Sequence, residues 1–330
     1  MNASRPPEPQ ISVIVPTRNR PSSLRRLLQS LDRQTLLPLE TLIVDASDVQ
    51  ESERLAEEFP GLRIRLLRST PSVCRQRNIG IAAARGTLLQ FADDDVDLPY
   101  GYLATLSAYA AAHPEAGAVS GVQLDVTGAE STLPDRRSIG AIPLIWSFIF
   151  QTSVWGSLDG IASRPRSAHL MRPILTHYRR RGNSFSLGGW PLLTHLDDPA
   201  GRTAVYGLGA AMIRKESLPD APFDESLGPH GIGDNYGVAI GLPGPIHLLT
   251  TMPFRHHRES ENRLAPSDAY VRRVLALDHF MRGSRRFHAG HRLMLRWSIV
   301  GHVLGFLLRG NGSMFVRSTA ALARLLAGRG

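Results

Sequence analysis

The chain has 330 residues, of which 42% are hydrophobic and 20% charged. That composition excludes a disordered or fibrous protein and leaves room for one large α/β domain with an appendage, or for two ordinary domains. Lys and Arg number 38 against 29 Asp and Glu, a net charge of +9 that suits phosphate-bearing substrates or an anionic membrane surface.

Nucleic acid ranks last as a partner, because no helix-turn-helix, zinc-finger spacing or aromatic RNA-binding signature accompanies the charge. The single cysteine, Cys74, cannot form an internal disulfide and suits a reducing cytoplasm. It has no His or Asn context that would make it a nucleophile. Met1 to Gln10 carries three prolines and no apolar run, so it is expected to be disordered and to be no signal peptide.

Strand and helix signals then alternate. Ile11–Val15 predicts a fully buried strand, and Leu24, Leu27, Leu28 and Leu31 give the next helix its i, i+3, i+4, i+7 face. Thr41–Val44 predicts a strand, Glu51–Phe59 a helix, Ile64–Leu67 a strand and Cys74–Arg85 a helix. Thr87–Phe91 is the fourth strand, followed by a helix over Tyr100–Ala112 and a strand over Ala118–Val122. Crossover helices between strands imply a parallel sheet with helices on both faces, whose ligands sit beyond the carboxyl ends of the strands. Pro16, Thr17, Asp45 and the run Asp93-Asp94-Asp95 all fall there.

Later signals are sparser. Ala204–Ile213 and Ile246–Met252 are strand-like, and Tyr270–Phe280, Arg292–Leu308 and Met314–Leu326 have helical periodicity. Ser138–Leu158 is 21 residues without a charge, long enough to span a bilayer, but Pro143, Gln151, Thr152, Ser153 and Gly156 blunt its hydropathy. Trp297–Leu308 is too short to cross and predicts either an interfacial helix flanked by Arg292, Arg296, Arg309 and Arg317, or a helix packed on the core.

The acidic run carries the chemistry. Three adjacent carboxylates repel one another, and Asp93 and Asp95 can share a site if a cation neutralises them. Oxygen ligands suit Mg²⁺ or Mn²⁺, which bridge a diphosphate, whereas the plain alternative is a solvated acidic turn. For Asp45 the plain alternative is an Asx-turn that ends its strand.

Four ordered motifs extend this picture: Ile11-Ser-Val-Ile-Val-Pro-Thr-Arg-Asn-Arg20, Ile43-Val-Asp-Ala-Ser47, Arg77-Asn-Ile-Gly80 and Phe91-Ala-Asp-Asp-Asp95. Together they resemble the inverting family-two glycosyltransferases. The likeness returns more weakly at Phe223-Asp-Glu225, Gly233-Asp-Asn235 and His256-His-Arg-Glu-Ser-Glu-Asn-Arg263. The resemblance implies an α/β fold of GT-A type, with a mostly parallel central sheet flanked by helices and a C-terminal helical extension. It divides the chain into a nucleotide-sugar-binding half (11–125), an acceptor-binding and catalytic-base half (126–262) and a helical extension (263–330) that is a candidate for membrane contact.

Residue by residue, the resemblance puts Pro16 and Thr17 along the nucleotide, Asp45 on the base, and Arg77 on the diphosphate or on the acidic run. Asp93 and Asp94 would touch the donor, while Asp93, Asp95 and His256 would hold the Mn²⁺ or Mg²⁺. The family places its base in a Glu-Asp pair after glycine. Here that pair is Asp234-Asn235, which leaves Asp234 as the candidate base unless Asn235 occupies the catalytic position. The position beside Asp45, often acidic in the family, is Ala46 here, so the base specificity is open. The implied partners are a nucleotide-sugar donor and a glycan or glycolipid acceptor, met at the cytoplasmic side or inner face of the membrane. Competing readings are a nucleotidyltransferase on a similar fold, or a degenerate relative that binds nucleotide or glycan without turnover.

Overall fold

The computed structural model describes residues 10–49, 51–127, 130–132, 138–163, 169–196, 199–257, 259 and 264–328. The proposed disordered N-terminus, apart from Gln10, and the end of the His256–Arg263 motif lie outside the described residues.

In chain order, β1 (Ile11–Thr17), α1 (Pro21–Asp32), β2 (Glu40–Asp45), α2 (Ser52–Glu58), β3 (Ile64–Arg68), α3 (Val73–Ala83) and β4 (Leu88–Phe91) alternate. There follow β5 (Val96–Asp97), α4 (Tyr102–Ala112), β6 (Ala118–Thr127) and β7 (Glu130–Thr132). The irregular middle holds α5 (Ala141–Phe150), β8 (Val154–Trp155), α6 (Asp159–Ala162), α7 (Arg172–Arg181) and β9 (Leu192–Leu193). The sheet is completed by β10 (Ala200–Thr203), β11 (Ala211–Arg214) and, after α8 (Asp234–Gly241), β12 (Ile246–His257). The chain ends in α9 (Pro266–Gly283), α10 (Ala289–Leu308) and α11 (Gly312–Leu326).

Every residue of β1 is buried, as a central strand covered on both faces requires. Pro21 opens α1 at a position where its missing N–H costs nothing, and Leu24, Leu27, Leu28 and Leu31 are all withdrawn from solvent. The main sheet runs β10-β12-β6-β11-β4-β1-β2-β3. Neighbours β3, β2, β1 and β4 are parallel, as are β6 and β12. Strand β11 is inserted antiparallel between β4 and β6, so the sheet is mixed rather than wholly parallel. Of the expected strand over Ala204–Ile213, only the end forms β11; Gly207 and Gly209 lie in the irregular approach to it.

The uncharged stretch from Ser138 folds into a ten-residue helix, α5, ended by Gln151 at positive φ. No helix among the described residues is long and apolar enough to cross a membrane. The C-terminal helices pack on the core: Val274, Leu277, Leu295, Ile299 and Leu325 join the same buried cluster as Trp190 and Tyr236.

Glu40 locks the start of β2 to its surroundings. Its buried carboxylate accepts from Ser12 Oγ at 2.8 Å, the Arg85 backbone N–H at 2.7 Å and Arg65 at 2.5 Å. Burial alone would raise its pKa, but these donors outweigh burial and hold it below its ordinary value. A depressed carboxylate stabilises the fold above its unfolded pKa and loses that contribution as pH falls. Glu40→Gln should cost about 1–3 kcal/mol in urea unfolding at neutral pH. The difference from wild type should shrink below pH about 4; a pH-independent difference would show that the charge is not what matters.

Candidate active site

Beyond the carboxyl ends of β1, β4 and β6 lies a cleft of about 640 Å³. Pro16, Thr17, Arg77, Asp93, Asp94, Asp95, Asp234 and His256 all line it, so most of the residues singled out in sequence meet in one place. Asp45 is the exception. It lies in an adjoining pocket of about 290 Å³ that shares Thr17 and Arg20 with the cleft.

Two backbone devices build the walls. Gln76 on α3 donates from Nε2 to Thr17 O at 2.8 Å and Val44 O at 2.7 Å, tying the ends of β1 and β2 together. Asn19, at positive φ, exchanges hydrogen bonds with Asp48 and so fixes the turn that carries Arg20.

The three acids after β4 have separate fates. The Asp93 N–H donates to Gly209 O at 2.8 Å, and its Oδ1 accepts from Arg77 at 2.5 Å. Gly209 has no room for a side chain, since a Cβ there would fall 2.4 Å from Asp93 Oδ2. Asp94 is buried in the floor, accepting from Thr17 Oγ1 at 2.8 Å and Arg20 at 3.1 Å. Burial pushes its carboxyl up to about 7 against the opposing pull of Arg20. Asp95 Oδ2 is 3.5 Å from Arg20, and its Oδ1 is 3.3 Å from His256 Nε2.

His256 arrives there because β12 pairs with β5 through Val96 and with β6 through Asp125. Its Nδ1 is 3.1 Å from Asp125 Oδ1 and 3.1 Å from Gln123 Nε2. Burial disfavours its charge, yet Asp95 and Asp125 on either side raise its pKa overall.

Arg77 is the hub. Buried on α3, it pairs with Asp93 through Nη2 and with Asp234 through Nη1, and its guanidinium lies 5.2 Å from the centre of the Phe223 ring. Asp234 opens α8 after Gly233, whose φ of +102° is left-handed and favours glycine. The Asp234 side chain also accepts the Asn235 N–H at 2.6 Å and is only 6% exposed. Burial raises its pKa, with Arg77 pulling the other way. Asn235 instead uses its Oδ1 to accept from Leu208 N–H at 3.1 Å, holding the approach to Gly209.

The sequence expectations are thus met unevenly. Asp95 and His256 come together, whereas Asp93 is turned to Arg77 and stands apart from that pair. Asp45 forms the Asx-turn: Oδ1 accepts Ser47 N–H at 2.7 Å and Oδ2 accepts Ser52 Oγ at 2.6 Å, with Arg68 at 3.4 Å. Sequence reasoning missed Arg20, Gln76, Gln123 and Asp125. Arg20 was visible at the end of the first motif, but nothing local marks the others. Cys74 is buried beside the cleft, and burial pushes its thiol up to about 12, in keeping with no nucleophilic role.

This sheet, with an acidic run and a histidine at its carboxyl edge, defines a GT-A type α/β protein. Residues 12–163 match the model of Glycosyl transferase family 2. That match spans just under half of the chain and marks its likeness to the family. Among curated relatives it is 36% identical over 90 residues to the uncharacterized glycosyltransferase EpsJ of Bacillus subtilis, covering 26% of each chain. Among solved structures, S. aureus TarS 1–349 in complex with UDP-GlcNAc superposes with a TM-score of 0.57 at 16% identity, over 96% of this chain and 81% of that one. The mannosyltransferase PcManGT of Pyrobaculum calidifontis, in complex with GDP-Man and Mn²⁺, gives 0.55 at 15%, over 98% and 88%. These two likenesses concern the fold.

If Arg77 is the charge that lets Asp234 be buried, Arg77→Met should destabilise the protein by about 3–5 kcal/mol. Adding Asp234→Asn should then restore part of that loss, because it removes the stranded charge. Urea unfolding of the two variants decides it; a double variant no more stable than Arg77→Met would refute the bridge.

Proposed function

We propose that this chain is a metal-dependent, inverting glycosyltransferase that moves a sugar from a nucleoside-diphosphate donor to a hydroxyl of a glycan or glycolipid acceptor. The observation that carries this reading is the Asp95–His256 pair, with 3.3 Å between Oδ1 and Nε2. Two ligands of one octahedral dication stand roughly 3 Å apart at bond lengths near 2.1 Å. Asp125 behind His256 Nδ1 adds the carboxylate–histidine support typical of metal ligands. The donor set therefore fits Mn²⁺ or Mg²⁺, with Asp95 and His256 as ligands and Asp93 within reach of the donor. When bound, the metal would neutralise charge on the departing diphosphate.

The chain's own residues supply the rest. Pro16 and Thr17 border the donor, and Asp45 lines the adjoining pocket suited to the base. Asp234 is the candidate base that takes the acceptor's proton as the hydroxyl attacks opposite the leaving group. Arg77 fixes its carboxylate and opposes the rise in pKa that burial imposes on it. A Glu-Asp pair reduced to Asp234-Asn235 is what favours the second reading, a relative that binds donor without turnover.

Thermal shift with a panel of nucleoside-diphosphate sugars, with and without Mn²⁺, tests the donor and the metal together. Binding should require the metal and be lost in Asp95→Ala. Asp234→Asn should bind donor within a few-fold of wild type, but lose about 10²–10⁴ in donor hydrolysis and transfer. Equal nucleotide affinity in chelator and in Mn²⁺ would sink the metal role, and unimpaired turnover in Asp234→Asn would sink the base.

We further propose that the protein works peripherally at the cytoplasmic face of an anionic membrane. Helices α5 and α10 pack together, with Phe150 stacked on Trp297 at 5.1 Å and Trp297 Nε1 donating to Ile149 O. Beside this contact Ile142, Ile145 and Ile149 on α5, and Leu293, Trp297, Leu304 and Leu308 on α10, are exposed. The opposite face of α10 is in the core, and its exposed apolar face is what supports an interfacial role. Arg292 is paired with Asp278 and Arg317 with Asp268, which leaves the apolar stripe to do more and the arginines less than their number suggests.

Ile142 and Leu308 are 79% and 76% exposed, so Ile142→Asp with Leu308→Asp should fold normally. Wild type should co-sediment with phosphatidylglycerol vesicles, less so as salt rises, and the double variant should stay in the supernatant. Wild type absent from the pellet, or a double variant that still sediments, would refute the membrane face.

A further inference from the structure

At the opposite end of the sheet from the cleft lies a second donor cluster. His113 ends α4, Glu115 lies in the turn before β6, and His247 is the second residue of β12. One donor atom from each lies within 4.8 Å of the other two, and this is the one such set of three His, Cys, Asp or Glu among the described residues. His247 and His256 share β12 nine residues apart, which puts the cluster roughly 30 Å from the cleft at a strand rise of about 3.3 Å.

His247 is the telling member. It is fully buried, its Nδ1 is 3.1 Å from the Tyr109 hydroxyl, and its Nε2 has no hydrogen-bond partner. A buried polar atom without a partner calls for an explanation. If the Tyr109 oxygen accepts Nδ1–H, the lone pair on Nε2 is free, and that is the tautomer a metal needs. Tyr109 also stacks on the His113 ring at 4.1 Å, fixing that imidazole too. His113 Nδ1 and Glu115 Oε1 are already 3.2 Å apart, the spacing of two ligands on one ion. Arg202 lies 3.6 Å from Glu115, but its side chain is largely exposed and free to swing into solvent.

We propose that His113, Glu115 and His247 bind a transition-metal dication. Two imidazoles with one carboxylate match Zn²⁺, water filling the fourth position, and do not match Mg²⁺ or Ca²⁺, which take oxygen. The ion would clip the end of α4 to the start of β12, closing the base of the sheet far from the donor cleft.

The test uses the full chain, stripped of metal, with Asp95→Ala and His256→Ala to silence the cleft. Zn²⁺ titrated by calorimetry should still bind at one equivalent and raise the melting temperature. His113→Ala and Glu115→Gln alter exposed or half-buried side chains and should fold. Each should weaken Zn²⁺ by about tenfold or more. Co²⁺ in place of Zn²⁺ should give the absorption of a four-coordinate site in the parent and not in the variants. No zinc uptake in the silenced background overturns the proposal. So does uptake unchanged by both substitutions, as would follow if His288 and His291, whose Nδ1 atoms meet at the start of α10, were the ligands. Donor binding with Mn²⁺, measured in the chain with an intact cleft, reports on the active site separately.

Discussion

The buried guanidinium of Arg77 joins two carboxylates that the chain brings from far apart, Asp93 at 16 residues and Asp234 at 157. Arg77 and Asp234 are 4% and 6% exposed, so each is tolerable inside the protein largely because the other is there. That ion pair also sets geometry. It fastens the start of α8 to α3, and through Asp93 it turns one acid of the run away from the other two. The edge of the cleft between the donor side and the second half of the chain is therefore held by charge as much as by packing.

The acidic run shows how a repulsive sequence is accommodated. Asp94 is neutralised by Arg20 and Thr17 within the floor, and Asp93 by Arg77, which leaves Asp95 facing His256. Each acid meets a partner from a different element, and Arg20 reaches Asp95 as well as Asp94. These partners relieve part of the like-charge cost expected for three adjacent carboxylates, although Asp95 still helps to raise the Asp94 carboxyl. The same separation turns Asp93 and Asp95 towards different neighbours, Arg77 and His256.

The C-terminal helices belong to this architecture rather than hanging from it. One face of α10 meets Trp190, whose Nε1 donates to Ser298 Oγ at 2.7 Å, and Gly301 lets Phe150 of α5 approach closely. The other face carries an exposed apolar stripe. An amphipathic helix with one side committed to the core and the other apolar in solvent is a natural place for a lipid boundary.

Much of the N-terminal half could be read from the residues alone, because buried parallel strands are continuous apolar runs and their helices carry leucines at regular spacing. Those patterns are local, and so were the motifs at the strand ends: Pro16, Thr17 and the acidic run were found in sequence and do line the cleft. Tertiary structure decided what each acid faces. Asp45 turned inward into an Asx-turn, Asp93 went to Arg77, and Gln123 and Asp125 gained their place beside His256 through the pairing of β6 with β12. No local pattern encodes those partners, since each depends on strand order and on a reversed β11 whose expected signal began seven residues before the strand itself. Periodicity reports which face of an element is buried; only the packed sheet determines which charges meet across it.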